Sequence, residues 1–359
     1  MTLKIFIINP GSTSTKLAAY EYKEGLSPLC NLSTQHDKEE FKNCKSYQDE
    51  YPIRYKKITD LIKEKNIDLK EYSAIVSRGG PFKPLEGGTY IINDKLIEDI
   101  DSGNVLSPHI SLLSAKFAYN LAKEHGIPAY FADPVSTDEY HDYSRPSGLS
   151  EIERISLWHA LNCKAVAREA AKDTGKKLED INFVIAHLGG GITVAALLGG
   201  RAVDSTNANS EGAMSPERAG TLPALELVNL CYSGRYDKQE LIKKITKGGG
   251  LAAYLGTNDA KEIEEKAEKG DEKAKFYLET MAYQVSKEIG AYSAVLKGRV
   301  DAIILTGGLA RSELVTDFIK ERVSFIAPVK IYPGEDEMLA LAQAGVRILN
   351  DEEKTKEYV

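Results

Sequence analysis

The chain has 359 residues, about twice the usual single-domain length, which gives room for two domains that each bury a core. Lys and Arg number 46 against 53 Asp and Glu, and the net charge of -7 argues against a nucleic-acid surface, whose footprint is a basic excess. The four cysteines, Cys30, Cys44, Cys163 and Cys231, form no CxxC pair, so neither a zinc site nor a disulfide framework is supported, and reduced cytoplasmic thiols are expected.

The chain opens on an apolar run, Ile5 to Ile8, without a basic leader or a cleavage site, and this reads as a buried first strand rather than a signal peptide. The turn Asn9-Pro10-Gly11-Ser12-Thr13-Ser14 follows, then a second strand from Thr15 to Tyr22. Ala74 to Ser77 is another strand, leading through Arg78 into Gly79-Gly80. Ser150 with Glu153 has the spacing of a capping box and predicts a helix running to about Gly175, at the domain junction. Ile181 to Gly200 has no Lys, Arg, Asp or Glu and approaches the length of a membrane span. Its five glycines and His187 favour two strands, Phe183 to Ala186 and Ile192 to Leu198, around Gly189-Gly190-Gly191. An Ala, Glu and Lys-rich helix is expected from Asp271 to Leu296, a strand from Ala302 into Gly307-Gly308, and a last helix from Glu335 to Leu349. The charged tail, Asp351 to Tyr358, is expected to fray.

The order repeats. Strand, glycine turn, strand, and later a strand ending in paired glycines occurs once in each half. A duplicated α/β domain with a ligand cleft between the halves is the expectation. Glycine turns after strands let backbone N–H groups converge on phosphate oxygens, so nucleotide binding is indicated although GxxxxGK[ST] and GxGxxG are both absent.

Asn9 through Lys16, Ala186 through Gly191, and Asp204 through Arg218 together resemble the acetokinase family of short-chain carboxylate kinases, over nearly the whole chain. That resemblance implies duplicated ribonuclease H-like domains of the actin, hexokinase and Hsp70-like ATPase fold. It implies reversible transfer of the ATP γ-phosphoryl to a carboxylate, with Mg2+ and ATP/ADP. Ser77 to Phe82, Tyr332 to Glu337 and the compact length point within the family to butyrate, or a branched relative, as acceptor. Acetate or propionate kinase and a non-kinase ATPase of the same fold are the alternatives. The implied domains are 1-149, on the acyl-acceptor side with 337-359 packing back on it, and 150-336, which binds nucleotide. Hinges are expected near 148-152 and again around the entry to the last helix. The family also implies a homodimer or higher homo-oligomer, with neither nucleic acid nor membrane as a partner.

The same resemblance assigns residues. Arg78, Asp133, His187 and Arg218 are implied as catalytic, with Arg78 and His109 at the acceptor. An arginine fork suits a carboxylate or a phosphoryl group, and Asp133 would orient an arginine. Ser12, Ser14, Lys16, Gly189, Gly190, Gly191, Asp259, Gly307, Gly308 and Arg311 are implied at the nucleotide, and Asn9, Asp336 and Glu337 at the metal. Arg78 runs directly into Gly79-Gly80, without the apolar pair and histidine of acetate kinases. Asp259-Ala260-Lys261 stands where the family has Asp-x-Arg.

Overall fold

A computed structural model describes residues 2–359, apart from the Lys38 side chain. The chain divides into two compact units, residues 1–138 with 336–359, and residues 139–335.

In the first unit, β1 (Leu3–Pro10), β2 (Ser14–Tyr22) and β3 (Leu26–Gln35) form a meander, followed by α1 (Tyr51–Glu64) and β4 (Ala74–Arg78). Then come β5 (Thr89–Ile91), α2 (Asp94–Ser102), α3 (Leu112–His125) and β6 (Ala129–Ala132). The second unit holds α4 (Ala160–Asp173), the meander β7 (Asn182–Leu188), β8 (Ile192–Leu198) and β9 (Arg201–Ser205), and five helices: α5 (Ala224–Cys231), α6 (Lys238–Lys247), α7 (Gly250–Leu255), α8 (Ala260–Glu268) and α9 (Glu272–Val295). It ends with β10 (Ala302–Gly307), α10 (Glu313–Val323) and β11 (Val329–Pro333). The chain returns to the first unit as α11 (Glu337–Leu349) and β12 (Lys356–Glu357).

The duplication is visible in the sheets. One has the order β12-β5-β6-β4-β1-β2-β3 and the other β11-β10-β7-β8-β9. In each, a central strand pairs antiparallel with its meander partner and parallel with the later strand that ends at the paired glycines. Burial on both faces explains why the central strands read as unbroken apolar runs. Phe6 and Ile8 of β1 join the core with Phe117 and Leu121 of α3, while α11 packs on the same strand. In the second unit Val184 and Ala186 face α9 and α10, and Phe183 and Ile185 face α4.

Several expectations are corrected. The helix predicted from Ser150 begins at Ala160, because the pairing of Pro146 with Glu153 holds 150–159 as irregular chain. The chain crosses between units at Asp138–Glu139 rather than at 149/150, and residues 148–152 lie within the second unit. Glu139 is fixed there by Lys164 Nζ at 2.8 Å and the Ala202 N–H at 2.7 Å. The return crossing falls at Glu335–Asp336. The tail does not fray. Lys356 and Glu357 add a parallel strand to β5, and Tyr358, 1% exposed, donates to Asp99 Oδ2 at 2.9 Å. Lys83, 2.6 Å from Asp99, leads the contacts that hold this carboxyl below the usual carboxylate range.

Tyr358 therefore closes the core of the first unit. We expect Tyr358→Ala to destabilise that unit by about 3 kcal/mol, as a large buried ring is lost, and Tyr358→Phe to cost about 1 kcal/mol for the hydrogen bond. Denaturant unfolding followed by hydrogen exchange on β5 and α2 separates these outcomes; equal stability of all three proteins would show that the tail is not anchored.

Candidate active site

In the first unit the candidate groups gather at the carboxyl ends of β1, β4 and β6. Asn9, buried at the end of β1, donates from Nδ2 to Glu337 Oε2 at 2.7 Å. Arg78, at the end of β4, approaches the same carboxylate with both terminal nitrogens at 3.4 Å. Asn9, Arg78 and Glu337 thus form one cluster. Asp336 stands next to it but caps α11, its Oδ1 accepting the Leu339 N–H at 2.8 Å. Asp133 follows β6 with a positive φ of 38° and is 1% exposed; its Oδ1 accepts the Gly88 N–H at 2.7 Å. His109 is exposed, and its Nδ1 accepts the Ser111 N–H at 3.2 Å, which leaves the ring proton of the neutral form on Nε2.

The first glycine turn is closed by the Gly11 N–H bonded to the Ser14 carbonyl at 2.7 Å. Beneath it lies Arg54, 1% exposed, donating to the carbonyls of Gly11 at 3.0 Å and Ser12 at 2.9 Å. His36 bonds Thr15 Oγ1 at 2.8 Å, and burial followed by the Arg54 charge pushes its pKa down to about 4. Ser12 and Lys16 are exposed around this turn, Ser14 is half-buried, and Lys16 stands opposite Asn9 across β1 and β2. Gly79 and Gly80 do different work from the other turns: a Cβ there would fall 2.5 Å from Pro134 and 2.9 Å from Leu112. They allow close packing after Arg78.

In the second unit His187 is the last residue but one of β7, 2% exposed. Its Nδ1 lies 2.8 Å from Asn162 Oδ1, its Nε2 lies 3.4 Å from Glu335, and its ring stacks on His159 with centroids 4.1 Å apart. His159 in turn bonds Thr193 Oγ1 at 2.8 Å. The Gly189–Gly191 turn follows, fixed by Ser215 Oγ donating to the Gly190 carbonyl at 2.6 Å. Arg218 lies against it so closely that a Cβ at Gly191 would stand 2.6 Å from Nη1. Its Nη1 donates to the Ala208 carbonyl at 2.7 Å, but its Nε is buried without a hydrogen-bond partner, and burial lowers its pKa.

Gly307 has φ 89° and exchanges backbone hydrogen bonds with Gly334 at 3.1 and 2.8 Å; a Cβ there would lie 2.4 Å from the Leu188 carbonyl. Gly308 faces open space. Arg311 is exposed, with a terminal nitrogen against Gly334, and Asp259 caps α8 by accepting the N–H groups of Lys261 and Glu262 at 3.1 Å.

Sequence reasoning missed His159, Asn162, Glu335 as a neighbour of His187, and Arg54. The false helix start at Ser150 hid the first two inside a regular helix. Arg54 has one local partner, Glu50 at 2.8 Å, but the two carbonyls it holds lie more than forty residues earlier. Among the described residues no group of three or more His, Cys, Asp or Glu side chains could hold a metal, and no helix is long and apolar enough to cross a membrane.

The description of the acetokinase family fits residues 138–354. Butyrate kinase 2 of Clostridium acetobutylicum is 47% identical over 359 residues, which span 100% of both chains. Among solved structures, Porphyromonas gingivalis acetate kinase is similar with a TM-score of 0.79 at 19% identity, over 97% of this chain and 100% of that one. A propionate kinase from Francisella tularensis gives 0.74 at 18%, over 95% and 98%. These two likenesses are of fold, and they agree with the duplicated ribonuclease H-like architecture.

The paired glycines supply a direct test. Gly307→Ala should destabilise the second unit by about 3 kcal/mol through left-handed strain and overpacking, whereas Gly308→Ala should leave its melting temperature within error. Equal melting of the two variants would show that β7 and β10 can separate without cost.

Proposed function

The chain belongs to the acetokinase family, and from that we propose that it transfers the γ-phosphoryl of ATP reversibly to butyrate or a branched relative, giving an acyl phosphate and ADP. The observation that carries the choice of butyrate is the end-to-end match with a relative of that name.

The chemistry asks for charge rather than for a base. A carboxylic acid of pKa about 4 is ionised at neutral pH and is already a nucleophile. Its approach to a polyphosphate, and the charge on three equatorial oxygens, call for cations and N–H donors. Arg78, with His109, is assigned to the acceptor, and Asp133 to the backbone that shapes this region. His187 and Arg218 are assigned to the transferring phosphoryl. What supports Arg218 is its state: a buried guanidinium beside a glycine turn, whose Nε makes no hydrogen bond and has the Glu217 carboxylate only at 3.9 Å, has donor capacity left for an anion. Ser12, Ser14, Lys16, Gly189 to Gly191, Gly307, Gly308 and Arg311 are assigned to the nucleotide, with Asp259 acting by fixing the start of α8.

Magnesium fits the donor set in the first unit. It takes hard oxygen ligands and keeps several waters, so one carboxylate and an amide suffice. Glu337 beside Asn9 meets this better than Asp336, whose oxygen caps a helix. Bound there, the ion would neutralise phosphate charge. A cytoplasmic setting and a homo-oligomer are part of the same reading.

An acceptor panel with ATP, trapping acyl phosphates as hydroxamates, tests the substrate. Each buried methylene contributes about 0.8 kcal/mol, so butyrate should exceed acetate about tenfold in kcat/KM; a clear preference for acetate would sink the butyrate assignment, and ADP release independent of any acceptor would sink the kinase. Arg218→Ala should lower kcat at least about a hundredfold with a smaller effect on nucleotide KM. A folded variant of near-normal kcat would make Arg218 structural.

A further inference from the structure

We propose that Asn162 is the positioning residue of His187: its side-chain oxygen holds the ring proton on Nδ1 and so directs Nε2 to the Gly189–Gly191 turn. The role in turnover rests on the carboxylate kinase reading above; the ring geometry does not.

A histidine ring at the end of a strand has two orientations, related by half a turn about its Cβ–Cγ bond, and two neutral tautomers. Stacking on His159, with an interplanar angle of 13°, fixes the plane but allows the half turn. Asn162 distinguishes the orientations. Its Oδ1, an acceptor, lies 2.8 Å from Nδ1, so the proton of the neutral ring belongs on Nδ1. Thr306 Oγ1 lies 3.3 Å from the same oxygen and 3.2 Å from the Gly334 carbonyl, so this contact joins the ends of β7, β10 and β11 to α4. Asn162 is itself 8% exposed and held by the helix.

The consequence is at the far nitrogen. A Cβ at Gly189 would stand 3.1 Å from Nε2, so Nε2 looks along the turn where backbone N–H groups would meet phosphate oxygens. The Glu335 carboxylate, 3.4 Å from Nε2, shows that an anionic oxygen is accommodated there. A protonated ring held in this way offers Nε2–H to an oxygen without reorienting, which is what stabilising a charged transition state requires. Released from Asn162, the ring could turn and present a carbon in place of that nitrogen.

The test uses the full-length protein labelled with 15N, with long-range proton–nitrogen correlations of His187 assigned by comparison with His187→Gln. The wild type should show the Nδ1–H tautomer in its neutral form without any substrate. Asn162→Leu, which removes the acceptor at similar volume, should lose that signature, and Asn162→Asp, which keeps an acceptor oxygen, should restore it. In turnover Asn162→Leu should lower kcat about ten- to a hundredfold, the range for a misplaced catalytic group, with little change in the KM for ATP, and Asn162→Asp should recover most of the loss. An Nε2–H tautomer in the wild type overturns the proposal even if Asn162→Leu fails to fold. So does a folded Asn162→Leu with wild-type kcat. A wild type that forms no acyl phosphate would sink the kinase reading and the role in turnover, and the tautomer alone would then decide the ring geometry.

Discussion

The second unit depends on one close approach, that of β10 to the end of β7. Gly307 lies where any side chain would run into the Leu188 carbonyl, and it pairs with Gly334 at the end of β11. Three strand ends are thereby brought level, and His187, Thr306 and Glu335 become neighbours although more than a hundred residues separate the first two. Replacing Gly307 would force the strands apart at the point where the polar groups converge. The position of the histidine is thus a matter of backbone sterics before it is one of hydrogen bonding.

The first unit reaches a similar result by another route. Gly79 and Gly80 open no phosphate turn; they let the chain after Arg78 pass against Pro134 and Leu112. Arg78 and Asn9 then meet a carboxylate brought in by α11 from the far end of the sequence. Below the first turn Arg54 satisfies two backbone carbonyls, and the neighbouring His36 is kept neutral by burial and by that charge. The exposed polar groups of this turn therefore rest on a buried cation.

Much of this was legible in the sequence because it is local. Strands buried on both faces give apolar runs, turns after them give glycines, and the repetition of the two gives the duplication. The helix caps at Asp271 and Asp336 follow from side chains accepting nearby N–H groups, and α9 begins where its cap requires. Ser150 and Glu153 carry the same local signal, but Glu153 pairs with Pro146, and a tertiary contact overrides the cap. The tail was misread for a related reason. Its charges suggest fraying, while its anchor, Tyr358 on Asp99, joins residues 259 apart in the chain. His159, Asn162 and Arg54 were missed because their importance lies in partners that only the fold supplies.

The return of α11 and β12 to the first unit has a consequence for biosynthesis. The second unit is continuous, from Glu139 to Glu335, and needs no later segment of the chain to complete its sheet. The first unit does. Residues 1–138 emerge with the faces of β1 and β4 that α11 will cover still bare, and the covering segment is made only after the whole second unit. During the whole translation of the second unit, the nascent chain therefore carries an apolar sheet face in need of shielding, and it is in this interval that a chaperone would have most to protect.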